Sequence, residues 1–145
     1  MAIDSGAVDH VAGPKNIPQT VPVEAPQGEK KRNFVAANGN RMKNYGKAKV
    51  TVVQESGSRV GNTFQVTDVT RPLHSTSKIC DADHEVLFTK GEATVVPDGV
   101  LSKFLDSIQA VAKYPRRGGL YVARMKARAP KAAAKQGFGR QGGKR

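Results

Sequence analysis

Thr63-Phe64-Gln65-Val66-Thr67-Asp68-Val69 alternates apolar and polar side chains. Phe64 and Val66 fall on one face and Gln65 and Thr67 on the other, the period-two pattern of a strand with one face in a core. The same signal recurs on both sides. Val50-Thr51-Val52-Val53 is short and β-branched and reads as a strand. Glu85–Thr89 and Ala93–Val96 read as two more, joined by a turn at Lys90-Gly91. Leu120–Met125 alternates again, with Leu120, Val122 and Arg124 on one face. Toward the N-terminus, Phe34-Val35-Ala36-Ala37 runs into Asn38-Gly39, a hairpin turn signal because both residues tolerate positive φ. Pro14, Pro18, Pro22 and Pro26 make the stretch up to Gly28 a loop or an extended edge, since proline blocks helix interiors and central strands. Residues 1–13 read as a short strand entering a glycine-containing turn. The domain is therefore expected to be mainly β.

One stretch departs from this pattern. From Val100 to Val111 the apolar positions are Leu101, Phe104, Leu105, Ile108 and Val111, a helical stripe. Pro97 and Gly99 precede it and Pro115 follows it, so the spacing predicts one amphipathic helix.

At 145 residues the chain has room for one domain. Its apolar content is 38% and its aromatic content 6%, against the roughly 45–50% apolar of an ordinary globular chain. Part of the sequence is thus expected to lie outside any core. The net charge is +12, and eight of those charges sit in residues 124–145, which hold no acidic residue: Arg124, Lys126, Arg128, Lys131, Lys135, Arg140, Lys144 and Arg145. This Ala/Gly-rich stretch reads as a disordered basic tail (124–145) on a folded domain (1–123), because it offers too little apolar surface to offset its ordering entropy. A second basic stretch, from Lys30 to Lys49, has seven Lys/Arg and no acid. The lone Cys80 excludes an internal disulfide. No apolar run reaches the length of a membrane span. Met1-Ala2-Ile3-Asp4 has neither the basic nor the apolar region of a signal peptide, so the expected location is cytosolic or nuclear rather than secreted.

The chemistry-bearing tripeptide is Asp4-Ser5-Gly6. A carboxylate used in acid–base chemistry needs a tight loop that points its oxygens away from the backbone. A neighbouring hydroxyl can brace that loop, and a glycine lets chains approach closely. By itself the tripeptide is better read as an ordinary turn. Cys80-Asp81-Ala82-Asp83-His84 bunches metal-competent side chains but lacks the separated ligand pairs of a structural zinc site, so a polar turn is the better reading. Ser5, Asp9 and His10 lack the spacing of a hydrolase triad, and no G-x-S-x-G elbow or phosphate-binding glycine loop occurs.

Several segments, taken in order, resemble copia-type retrotransposon proteases, a retropepsin-like family of aspartic peptidases. Ile3-Asp4-Ser5-Gly6-Ala7-Val8-Asp9-His10 is similar to the family's Asp-Ser-Gly-Ala-x-x-His start. Val35-Ala36-Ala37-Asn38-Gly39 and the later Asn44-Tyr45-Gly46 resemble its flap region. Phe64 through Ile79 resembles its strand, short link and Leu-x-Ser-x-x-x-Leu helix start. Val86-Leu87-Phe88 resembles the following strand, and Gly118-Gly119-Leu120-Tyr121-Val122 its closing Gly-Leu-Tyr-Val. The resemblance spans roughly residues 1–123.

What the resemblance implies is a small closed β domain with one or two short helices, acting as an aspartic endopeptidase within a retrotransposon polyprotein. Asp4, with Ser5 and Gly6, would form the catalytic loop, and Ala37, Asn38 and Gly39 would belong to a flap over a polypeptide substrate. One motif per chain implies a homodimer. No cofactor, metal or membrane is implied. Three departures stand out: only Met1-Ala2-Ile3 precede the motif, the Val100–Tyr114 stretch reads as helix where a hairpin is expected, and no apolar-apolar-Gly motif occurs near Leu73. The short start predicts a weak dimer or a monomer. The alternative is a basic RNA-binding protein acting through the eight tail residues named above, with Phe138 in Gly137-Phe138-Gly139-Arg140 available for base stacking, on a non-catalytic β domain.

Overall fold

The computed structural model describes residues 1–28 and 33–130. Within them the chain is mainly β. The principal sheet holds β1 (Ala2–Asp4), β7 (Leu73–Ser75), β2 (Val11–Ala12), β6 (Arg59–Thr67) and β5 (Asn44–Val53), in that spatial order. Three two-stranded hairpins accompany it: β3 (Phe34–Val35) with β4 (Arg41–Met42), β8 (His84–Phe88) with β9 (Ala93–Pro97), and β10 (Arg116–Arg117) with β11 (Leu120–Tyr121). One α-helix, α1 (Thr76–Asp81), follows β7 directly, and short 3-10 turns lie at Pro14–Asn16 and Ser102–Ser107.

The alternating stretch around Phe64 is the centre of this arrangement. β6 pairs antiparallel with β5 from Asn44↔Thr67 to Val53↔Arg59 and parallel with β2 at Val11↔Gln65 and Ala12↔Val66. Phe64 and Val66 point into the core, where they meet Ala12, Ile17 and Ala48, flanked by Val21, Tyr45, Val50 and Val52. The opposite face is not uniformly wet: Thr67 is fully buried and its hydroxyl donates to the Lys43 carbonyl (2.8 Å). The hairpin turn at Asn38-Gly39 forms as expected, with Ala36 N–H donating to the Asn40 carbonyl (2.8 Å) and Gly39 at φ +84°. Glu85–Thr89 and Ala93–Val96 also pair as a hairpin, the first strand shifted one residue back to His84–Phe88 and the second extended by one to Pro97.

Three expectations are corrected. The closed β domain is not formed: the principal sheet is open, with β1 and β5 at its edges. β1, β2 and β7 are two or three residues long, too short to wrap the sheet onto itself, and the hairpins form separate sheets. The Val100–Val111 helix is absent. That stretch holds only the 3-10 turn Ser102–Ser107, and Phe104, Leu105, Ile108 and Val111 are exposed. An amphipathic stripe forms a stable helix chiefly through packing of its apolar face, and no element covers this one. What orders the stretch is polar: the Glu85 carboxylate accepts backbone N–H bonds from Gly99 (3.0 Å), Leu101 (2.6 Å) and Ser102 (3.2 Å). Finally, the Leu120–Met125 strand shrinks to Leu120–Tyr121, which turns back on Arg116–Arg117 through Gly118-Gly119. Tyr121 is its inward residue, anchored to α1 through Cys80 Sγ (3.3 Å), whereas Leu120 and Val122 are exposed.

The packing is lopsided. Every buried residue among those described lies between His10 and Ser77. The prolines of the 14–28 stretch run outside the sheet, and besides Ile17 and Val21, which pack on the core, the chain there is pinned by backbone hydrogen bonds that Glu24 and Lys47 exchange (2.8 and 3.0 Å) beside a bulge in β5. Gly46 makes that pin feasible. It sits at φ +123°, and a Cβ there would collide with the Glu24 carbonyl oxygen. Gly46→Ala is therefore expected to destabilise the fold by about 2 kcal/mol or more. Urea unfolding checks this, and a loss below about 0.5 kcal/mol would contradict the crowding argument.

Candidate active site

Asp4 ends β1, and the parallel pairing of β1 with β7 sets Ser75 opposite it. The chain then turns sharply, with the Gly6 N–H donating to Asp4 Oδ1 (2.7 Å). Asp4 is partly buried, while Ser5 and Gly6 are exposed at the tip of the loop.

The loop is held from beneath. Ser75 is fully buried, and its hydroxyl donates to the Ala7 carbonyl (2.6 Å). The same oxygen caps α1 by accepting the Lys78 N–H (3.3 Å) and lies 3.0 Å from Ser77 Oγ. The backbone N–H of Ser75 donates to His10 Nδ1 (3.0 Å), and the His10 carbonyl accepts from Gln65 N–H (2.8 Å). The loop is thus tied to β7, to α1 and to the central strand β6. His10 and Ser75 brace the candidate loop, a role that residue-by-residue reading does not assign them. Their only sequence signal was membership of the matched segments, because the bond between them joins residues 65 apart.

A cluster of rings lies behind this network. His10 and His74 stand edge to face with centroids 5.0 Å apart, and each is 5.7 Å from Phe64. Burial lowers the His10 pKa from its ordinary value, with Asp9 opposing and Lys78 assisting. Burial, then His10 and the amino terminus, bring His74 down to about 4.

Asp4, Ser5 and Gly6 are brought together in one loop. Ala37, Asn38 and Gly39 form the exposed tip of the β3–β4 hairpin, in a sheet separate from the one that carries Asp4. A cavity of about 760 Å³ borders the loop at Ser5 and is walled by Cys80, Val86, Leu101, Leu105 and Tyr121. A second, of about 800 Å³, lies between Asp9, Glu24, Phe34, Lys47 and Gln65 and does not include Asp4.

The remaining candidates are engaged elsewhere. Asp81 binds Arg116 (2.7 Å), which holds its carboxyl below the ordinary value. The His84 ring bonds to the Ala82 carbonyl (2.5 Å), and burial with the Cys80 contact pushes Tyr121 up to about 12. Among the described residues no three His, Cys, Asp or Glu gather as a metal site. Asp9 pairs with Lys78 (3.5 Å) rather than with a catalytic His10. Of the tail, Arg124, Lys126 and Arg128 are exposed and outside any helix or strand, while Lys131, Lys135, Arg140, Lys144 and Arg145 lie outside the described residues.

Ser75→Ala removes the brace to Ala7 and the cap of α1 together. It is expected to cost about 1–3 kcal/mol of stability and to accelerate amide exchange at Gly6. Denaturant unfolding with hydrogen exchange measures both, and unchanged exchange at Gly6 would mean that the loop is held by other contacts. In comparisons with known proteins, no family model matches the chain, and neither does any curated protein or solved structure.

Proposed function

We propose that the chain is an aspartic endopeptidase domain of the copia-type, retropepsin-like class, part of a retrotransposon-derived polyprotein and working as a homodimer. The observation that carries this reading is the Asp4 loop: an Asp-Ser-Gly turn at the end of a strand, bonded within itself through Gly6 and braced through Ala7 by a buried serine opposite the aspartate. The missing apolar-apolar-Gly support has a counterpart in Leu73-His74-Ser75, whose serine takes over the bracing by hydrogen bond.

One chain supplies one Asp-Ser-Gly carboxylate, and the chemistry needs two. In the proposed dimer the Asp4 side chains of both copies share a single proton, because like charges about 3 Å apart do not both ionise. The ionised carboxylate takes a proton from a water molecule, whose oxygen attacks the scissile carbonyl carbon. The protonated carboxyl gives its proton to the carbonyl oxygen, producing a neutral tetrahedral diol. Proton return to the amide nitrogen and cleavage of the C–N bond then release an amine and a carboxylic acid. The β3–β4 hairpin, with Ala37, Asn38 and Gly39 at its tip, would close over the extended substrate. Association of two copies is supported by the apolar side chains left uncovered in one, among them Leu87, Phe88, Phe104, Leu105 and Ile108.

Asp4→Asn is expected to abolish peptide cleavage while leaving the fold intact, since it removes charge and changes little volume. The wild-type pH–rate profile should be bell-shaped with an acidic optimum and sensitive to pepstatin. Cleavage surviving in Asp4→Asn would place the active site elsewhere. The runner-up reading, RNA binding through the tail, draws on its eight cations without an acid. It predicts that a chain ending at Ala123 loses most of its affinity for single-stranded RNA. The full chain should show a log–log salt slope of about −0.7 per phosphate contact. Equal binding by both chains would dismiss it.

A further inference from the structure

We infer that His10 is a positioning residue for the Asp4 loop: as a neutral imidazole protonated on Nε2, it accepts the Ser75 backbone N–H and thereby fixes the serine that braces Ala7. The geometry allows one polarity for this contact. A backbone N–H only donates, so the ring nitrogen 3.0 Å from it must carry a lone pair. Protonating Nδ1 would set two donors against each other at a buried site, and the bond would be lost. Ser75 would then be free to shift away from the Ala7 carbonyl, and the loop that it braces would loosen.

The surroundings favour the neutral ring. His10 is 9% exposed and packs against Phe64 and His74. His74, on β7, leaves its buried Nε2 without a hydrogen-bond partner among the described residues, so the pair has no acceptor there to stabilise a cation. The charged groups facing the two rings are few. Asp9, next in the chain, favours a protonated His10, but it is held by Lys78 of α1 (3.5 Å), whose own charge opposes protonation. The chain's amino terminus at Met1 and His10 itself oppose protonation of His74. Both imidazoles therefore have folded-state pKa values below their unfolded ones. The sign follows: between those values the unfolded chain binds more protons, so stability is full above the unfolded imidazole pKa and falls as pH drops below it. The lock itself belongs to the fold. Its consequence for cleavage rests on the peptidase reading: the acid limit of activity would be set by His10 and not by the paired carboxylates alone.

The test uses the full chain labelled with ¹⁵N, with long-range spectra of the histidine rings and amide spectra from pH 8 to pH 4. The expected result is an Nε2–H tautomer for His10 at neutral pH, with the Ser75 and Gly6 amide resonances shifting in step with His10 protonation. His10→Asn, whose side-chain oxygen can take over the acceptor role, should keep those amides in place and remove their pH step. His10→Leu should expose the Ser75 amide to exchange roughly tenfold faster at neutral pH. An Nδ1–H tautomer, amides indifferent to His10 protonation, or identical Asn and Leu variants would overturn the inference. Should the Leu variant fail to fold, the tautomer and the wild-type titration decide alone. None of these readouts requires cleavage, so a failed peptidase reading leaves them standing.

Discussion

Burying Ser75 obliges each of its polar atoms to find a partner, and the partners it finds organise the N-terminal half of the molecule. Its N–H goes to His10, its hydroxyl hydrogen to Ala7, and its oxygen lone pairs face Lys78 N–H and Ser77. A satisfied hydrogen bond contributes only about 1 kcal/mol, but a buried group left without one costs about 1–3 kcal/mol. The network therefore acts more as a constraint than as an adhesive: arrangements of β1, β7 and α1 that leave any of these atoms unpaired are penalised. The loop from Asp4 to Ala7 inherits its shape from this constraint, although Ser5 and Gly6 stand in solvent.

Beyond that network the two halves are stabilised by different means. The β5–β6 hairpin and β2 enclose five buried apolar residues, of which Ile17, Phe64 and Val66 each contribute on the order of 1.5–3 kcal/mol by leaving water and the two alanines less. From His84 onward no described residue is buried, and the segments are fastened by polar contacts: Glu85 to the 99–102 backbone, Arg116 to Asp81 and Tyr121 to Cys80. An exposed ion pair such as Arg116–Asp81 adds little, because water and salt screen it. Local opening should therefore begin in the C-terminal half and reach the Phe64 core last.

The parts of the fold that were legible in the sequence are those governed by local rules. The alternation at Phe64 and Val66, the β-branched run at Val50, and the turns at Asn38-Gly39 and Lys90-Gly91 each depend on near neighbours, and each is present. Thr67 was placed on the wet face because alternation ignores what lies beyond the sheet edge, where Lys43 closes over it. The stripe at Leu101–Val111 has helical spacing, but a helix of that kind needs a surface to lie on, and spacing carries no information about one. At the candidate site the Asp-Ser-Gly loop was visible as a motif. The bracing by Ser75 and His10 was not, because it arises from a parallel pairing of strands about 70 residues apart, which no local pattern encodes.

Two kinds of incompleteness meet at one place. The half-buried Leu101 and the exposed Leu105 wall the same cavity that Ser5 borders, so uncovered apolar surface lies beside the loop that holds Asp4. On the homodimer reading these are one requirement. A second copy that brings its Asp4 toward the first must also approach this cavity, and covering Leu101, Leu105 and Tyr121 would supply free energy for that association.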